Sequence, residues 1–238
     1  MRFIFPRGII YHKLSEDLLF FFKSFFCNLS NKSIIEKWEK KFAEYNNRKY
    51  CLSFPFARTA LYYALKSQNF PPGSEIILPP ITIKGMLDVV INLKLKPVYV
   101  DINLDTLCFD SKQLNNSINS KTRAILLTYL FGIVPDIDKL IEISKKNRLF
   151  IIEDFSHALN ARQNNKKLGT FGDIGIYSSS SIKTLDTYGG GHLICDDSNL
   201  YESLLLFKSK LVKPSRFHLI KKIFIDLYRN LATSKGIF

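Results

Sequence analysis

Two apolar, strand-like segments of the chain end in groups of complementary chemistry. Leu149-Phe150-Ile151-Ile152 leads into Glu153-Asp154, followed by Phe155-Ser156-His157-Ala158. Ile174-Gly175-Ile176-Tyr177-Ser178 leads through Ser179-Ser180-Ser181-Ile182 to Lys183, ahead of Gly189-Gly190-Gly191. A carboxylate closing one strand and a lysine in a Ser/Gly-rich loop after the next meet two needs of pyridoxal phosphate chemistry. The acid can keep a pyridine nitrogen protonated, and the amine can form a Schiff base with an aldehyde. The plainer alternatives are a solvated surface charge for the lysine and a helix N-cap for the aspartate.

These groups depend on the elements that carry them. Strands are expected at Tyr50 to Ser53, Glu75 to Leu78, Pro97 to Asp101, Ala124 to Tyr129, Leu149 to Glu153 and Ile174 to Ser178. Helical spacing falls between them, at Thr59 to Lys66, Lys84 to Leu93, Leu114 to Ile118 and Ile137 to Asn147. Before them, Ser15-Glu16-Asp17 reads as the capped start of one helix. Asn31 or Ser33 opens another, with Ile34, Ile35, Trp38, Phe42 and Tyr45 on its apolar side. Alternating strands and helices with continuous apolar strands predict an α/β domain in three layers, a mostly parallel sheet covered on both faces. Ligands bind such sheets at the carboxyl ends of the strands. Four polar stations fall there: Phe56-Ala57-Arg58, Pro80 to Lys84, Asp154 with His157, and Ser178 to Lys183. Beyond Cys195 the pattern changes, and Leu200 to Val212 and Leu219 to Leu231 read as basic, apolar helices before Ser234 to Phe238.

Length suits one large domain, or one domain and part of another, and 46% apolar residues allow a sizeable core. A formal charge of +13 raises nucleic acid or an acidic membrane as partners. The lysines are scattered in short pairs such as Lys40-Lys41 and Lys145-Lys146, without an RNP-like or helix-turn-helix signature, so no nucleic-acid partner is expected. Cys27, Cys51, Cys108 and Cys195 lie far apart with no zinc spacing and read as reduced, mostly buried thiols. Met1 to Pro6 is too short an apolar start for a signal peptide. Leu18 to Phe26 is apolar but interrupted by Lys23 and short of a membrane span, so a buried amphipathic helix is expected, with a membrane-surface helix as the lesser alternative. Together these readings place the chain in the cytoplasm without a membrane partner.

A set of collinear stretches resembles the DegT/DnrJ/EryC1/StrS family of pyridoxal-phosphate-dependent sugar aminotransferases, of aspartate-aminotransferase-like fold. Pro72 to Pro79 resembles "PGDEVIVP", Lys96 to Ile102 "KPVFVDI", and Leu130-Phe131-Gly132 with Pro135 to Asp138 "LYGxPADMD". Ile152-Glu153-Asp154 with His157-Ala158 resembles "IEDxAQA", Leu168 to Asp173 "VGSFGD", and Ser178 to Lys183 "SFFPTK". Each stretch alone is weak; in order, from Ile34 to Leu200, they are specific. The resemblance implies an amino transfer to a nucleotide-linked keto-sugar, with glutamate as donor, in a homodimer. It implies that Lys183 is the catalytic lysine and that Asp154 pairs with the cofactor's ring nitrogen. His157 would stand near the ring oxygen. Ser178 would bind the phosphate with the backbone N–H groups of Ala57 and Arg58. Family members that dehydrate their substrate carry histidine at the lysine position, so Lys183 speaks for transamination.

The chain departs from the family in several places. Phe56-Ala57-Arg58-Thr59-Ala60-Leu61 stands where the family has "SGTxAL", so phenylalanine replaces serine and alanine replaces glycine. Ile81-Thr82-Ile83 replaces an aromatic "FTF" or "FTW", which leaves Ile83 to cover the ring with aliphatic contact. Tyr129 takes the place of the histidine of "HLYG". Family chains continue into a small C-terminal domain, and a partner subunit supplies a phosphate contact after the lysine strand; no residue here is matched to it. The expected division is residues 1–33 as an arm and helix, 34–200 as the cofactor-binding large domain and 201–238 as a helical remnant of a largely missing small domain. A truncated, inactive remnant or a partner subunit that keeps the large-domain fold is the alternative.

Overall fold

The computed structural model describes residues 12–29, 31–211 and 215–233. Met1 to Pro6, Val212 and Ser234 to Phe238, on which sequence readings fall, lie outside the described residues. In chain order the elements are α1 (Leu14–Ser24), α2 (Lys32–Tyr45), β1 (Tyr50–Phe54), α3 (Ala57–Ser67), β2 (Glu75–Leu78), α4 (Lys84–Asn92), β3 (Lys96–Tyr99), α5 (Ser111–Ser117) and β4 (Thr122–Thr128). There follow α6 (Ile137–Lys146), β5 (Phe150–Asp154), the short β6 (Arg162–Gln163) and β7 (Lys166–Lys167), β8 (Ile174–Ser178), β9 (Gly191–Cys195), α7 (Ser198–Ser209) and α8 (Arg216–Ala232).

Seven strands form one sheet in the order β1-β9-β8-β5-β4-β2-β3. Only β9 runs against its neighbours β1 and β8; the other pairs are parallel. Side chains alternate across a strand, so Ile125, Leu127 and Ile151 enter one core layer and Ala124, Leu126 and Ile152 the other. Helices α2, α5 and α6 cover the first layer through Phe42, Leu114 and Leu140. Helices α3, α4 and α7 cover the second through Leu61, Val90 and Leu204. The expected three-layer α/β fold is what forms. The carboxyl ends of β2, β5 and β8, the start of β9 and the N-terminus of α3 meet at one end of the sheet.

The caps follow their sequences. Asn31 caps α2, Asp110 α5, Asp136 α6 and Asp197 α7, each side chain accepting from a backbone N–H of the first turn. Asn47 takes φ 56 just past α2 and turns the chain into β1. Arg48 then crosses to Asp196 at 2.8 Å and to the carbonyls of Gly169 and Gly172, fixing the entry of β1 against the exit of β9.

Three readings are corrected. Helix α1 starts at Leu14 after Lys13, which offers no side-chain cap, so Ser15 lies inside the helix. Leu18 to Phe26 is not buried: Phe22 is 63% and Phe26 90% exposed. The reason is that α1 lies against α8 on one side, outside both core layers, and buries Asp17 and Ser24 there. In α2, Ile34 and Tyr45 are likewise exposed, because only one stripe of the helix meets the sheet. The strand β9 has no counterpart among the expected elements. Cys51, Cys108 and Cys195 are buried and Cys27 half-buried, all as free thiols. No helix among the described residues is long and apolar enough to cross a membrane.

Candidate cofactor site at the carboxyl ends of the strands

Consecutive carboxylates on β5 have different surroundings because they face opposite sides. Glu153 is fully buried and accepts from the N–H groups of Gly169 at 2.8 Å, Phe171 at 2.6 Å and Gly172 at 2.6 Å, and from the Tyr129 hydroxyl at 2.8 Å. Burial raises its pKa, and the Gly172, Tyr129 and Gly169 donors, with the charge of Arg48, oppose the rise. Asp154 is half-buried, and its Oδ1 accepts from the Ser156 N–H at 3.0 Å. The Ser156 hydroxyl in turn accepts from the Ser178 N–H at 2.9 Å. Ser156 therefore ties the ends of β5 and β8 together. The Ser178 hydroxyl lies 3.1 Å from that of Ser180.

Lys183 sits in the loop between β8 and β9, and that loop is bonded at several points. Lys183 N–H donates to Ser180 O at 3.1 Å. Thr187 and Gly189 N–H both donate to Ser179 O, at 3.0 and 3.2 Å. The buried Ser179 hydroxyl lies 3.1 Å from His192 Nε2 and is met by the Thr187 hydroxyl at 2.8 Å. Ile182 holds φ 69, a left-handed conformation costly for a β-branched residue, next to the lysine. The Lys183 amine has no hydrogen-bond or ion-pair partner among the described residues. Burial lowers its pKa, and the charge of Asp154 acts in the other direction. His157 is exposed, with its ring tilted against Phe131 at 5.8 Å. Its pKa is lowered by desolvation and by Lys183, and raised by Asp154. Asp154, His157 and Lys183 thus lie within electrostatic reach of one another.

The N-terminus of α3 reaches the same place. Phe56 precedes the helix with no side-chain cap, leaving its first-turn N–H groups without that partner. Gly191, paired with Ser178 across β8 and β9, abuts this end so closely that a Cβ there would overlap Ala57 N. Arg58 is exposed, and its guanidinium covers the Phe56 ring at 4.0 Å. Ile83 stands at the residue before α4, beyond β2, with no side-chain cap bond, and is 62% exposed. The structure brings Asp154, His157, Ser178, Lys183, Ala57 and Arg58 to one end of the sheet, with Ile83 on the neighbouring turn. A cleft lined by Pro80, Thr82, Lys84, Leu87 and Tyr99 opens beside that turn and includes none of the other site residues. The sequence reading missed Ser156, Ser179, Thr187 and His192. No spacing marks Ser179 among its serine neighbours; only β9 places His192 against it.

The fold is that of the aminotransferases. The solved aminotransferase from Psychrobacter cryohalolentis matches with a TM-score of 0.76 at 21% identity, over 95% of this chain and 64% of that one. The Escherichia coli GDP-4-keto-6-deoxy-D-mannose-3-dehydratase with bound hydrated PLP matches with a TM-score of 0.75 at 21% identity, over 97% and 69%. The DegT/DnrJ/EryC1/StrS aminotransferase family model matches residues 28–221, and the chain belongs to that family. GDP-perosamine synthase of Escherichia coli O157:H7 is 32% identical over 181 residues, 76% of this chain and 50% of the relative. GDP-4-keto-6-deoxy-D-mannose 3-dehydratase of Yersinia pseudotuberculosis is 33% identical over 181 residues, 74% of this chain and 46% of the relative. The chain spans about half the length of the curated relatives it matches.

Proposed function

We propose that residues 34–200 form the cofactor-binding large domain of a pyridoxal-phosphate-dependent aminotransferase acting on a nucleotide-linked keto-sugar. The observation that carries this reading is the half-buried amine of Lys183, without a hydrogen-bond or ion-pair partner among the described residues and within electrostatic reach of the Asp154 carboxylate. The donor set fits the cofactor: an amine for its aldehyde, an anion for its ring nitrogen, and a hydroxyl with a helix N-terminus for its phosphate. Relatives named for GDP-linked sugars support the substrate class.

Bound pyridoxal phosphate supplies an electron sink for the substrate carbon that loses a proton. Asp154 stabilises the positive ring nitrogen on which that sink depends, and Ser156 N–H orients its carboxylate. Lys183 is the general base and acid. Its lowered pKa increases the free-amine fraction near neutrality, so it can accept a proton and return it. Ser178 Oγ with the Ala57 and Arg58 N–H groups would hold the phosphate, and His157 would bond near the ring oxygen. Ile83 would cover the ring. Lysine at position 183 favours transamination over dehydration, with glutamate as amino donor. A cytoplasmic homodimer is part of the same proposal.

The test is absorbance of the purified chain with added pyridoxal phosphate. The expected result is a visible band that Lys183→Ala abolishes; no band, or an unchanged one in the variant, overturns the reading. A second reading is a non-catalytic chain that keeps the fold. It is favoured by Phe56, whose ring lies under Arg58 where the family has a serine. Transamination by the isolated chain would dismiss it.

A further inference from the structure

Lys222 of α8 carries an ammonium that feels the charges of Asp226 and Asp186 but forms no ion pair with either among the described residues. Its amine packs onto Gly189, where a Cβ would overlap Nζ, and the position holds φ 122. Lys222 is half-buried and forms no hydrogen bond or ion pair with the described residues. Each of these two carboxylates has one oxygen bonded elsewhere. Asp226 Oδ1 accepts from the Ser181 hydroxyl at 2.5 Å and lies 3.8 Å from Arg229, while Asp186 accepts from the Tyr188 N–H at 2.8 Å.

The glycines that follow show what this amine faces. Gly190 bridges to Phe56, and Gly191 abuts Ala57 N while pairing with Ser178. The turn therefore carries Lys222 at its first residue and the N-terminus of α3 at its third. Arg58 and Lys222 approach the same Phe56 ring, at 4.0 and 5.9 Å from its centroid. Burial lowers the pKa of Lys222, Asp226 and Asp186 act against that, and Arg229 and then Arg58 add to the lowering, so the charges of Arg58 and Lys222 are within reach of each other. Like charges held together beside a helix N-terminus and a serine hydroxyl make a site for an anion.

We propose that Lys222, supplied by the chain's own α8, binds the phosphate group of the cofactor. This rests on the cofactor reading above and adds to it a ligand from outside the 34–200 domain. It also gives α8 a role: closing the phosphate end of the site within one polypeptide. The rival role for Lys222 is to offset Asp186 and Asp226, each of which keeps one buried oxygen without a hydrogen-bond partner.

The experiment is a parallel titration of the full chain with pyridoxal phosphate and with pyridoxal, which lacks the phosphate. Lys222→Met should weaken pyridoxal phosphate by roughly ten-fold or more, the scale of a charge-assisted bond. Pyridoxal affinity should stay unchanged, and Lys222→Arg should recover most of the loss. Equal losses for both ligands, or none, overturn the assignment in favour of the rival role. In wild-type chain, bound pyridoxal phosphate should also protect Lys222 from acetic anhydride, read by mass spectrometry. Unprotected Lys222 overturns the assignment even if the methionine variant fails to fold. A wild-type chain that binds neither ligand overturns the cofactor reading and this assignment together; normal wild-type binding that Lys222→Met leaves intact overturns this assignment alone.

Discussion

Tyr177 and Leu185 are bonded to each other twice: the Leu185 N–H donates to Tyr177 Oη at 2.8 Å, and the Tyr177 hydroxyl donates to Leu185 O at 3.2 Å. Tyr177 is completely buried on β8, and Leu185 lies two residues past Lys183. This pair anchors the lysine loop to the core. Tyr177→Phe leaves the ring packing but strands a backbone donor and an acceptor, at a cost of about 1–3 kcal/mol. Denaturant melts should show that loss, and hydrogen exchange at Leu185 and Thr187 should speed up. Unchanged exchange there would show that the loop is held by other contacts.

His192 should make stability depend on acid pH. Burial, and then the charge of Lys208, lower its pKa from 6.5 to about 4. The unfolded chain takes up the proton near 6.5 and the folded chain only near 4. The stabilisation is therefore full above 6.5 and is lost as pH falls through that window, by about 3 kcal/mol in all. Melting temperature against pH should fall in this range for wild type and fall less for His192→Gln. Parallel curves for the two proteins would refute the assignment.

Glycines at the two ends of the Arg58 region should respond oppositely to alanine. At Gly191 a Cβ meets backbone atoms of Phe56 and Ala57, which cannot move without shifting α3. Gly191→Ala should cost about 1–3 kcal/mol or more and weaken pyridoxal phosphate binding. At Gly85, in α4, a Cβ meets only the flexible Arg58 side chain, at 3.0 Å. Gly85→Ala should be neutral or gain up to about 1 kcal/mol of helix propensity. Thermal melts of the pair check this.

Asp154 should control the reactivity of Lys183. Its charge raises the Lys183 pKa against a larger lowering by burial. Asp154→Asn removes the opposing effect, so the pH midpoint for acylation of Lys183 should move down. The wild-type midpoint should itself lie below that of a free lysine. Peptide-resolved labelling across pH measures both, and an upward move in the variant would contradict the geometry.

Most of the fold could be read locally. The strand from Glu75 to Leu78 and the helix from Ile137 carry their own patterns, and Asp136 caps that helix as its position suggests. β9 could not be read, because Gly191-His192-Leu193-Ile194-Cys195 begins with glycine and histidine after a glycine run. It becomes a strand only between β1 and β8, where its backbone groups find partners on both sides. The exposure of α1 has the converse reason: an apolar run does not say whether a core lies beside it. Among the site residues, Asp154 and Lys183 stood out by their places after apolar strands, whereas Ser156 and Ser179 look like any loop serine.

What the sequence determined by itself is the strand–helix alternation through β5 and β8, the ends of those strands and the identity of the groups placed there, since periodicity and chain position are local properties. The tertiary structure decided which of those groups meet. Tyr177 with Leu185, His192 with Ser179, and above all Lys222 with Gly189 are set by sheet register and helix docking. Such contacts join residues that are apart in the chain, and their free energy depends on burial and closeness in space, which no local pattern encodes.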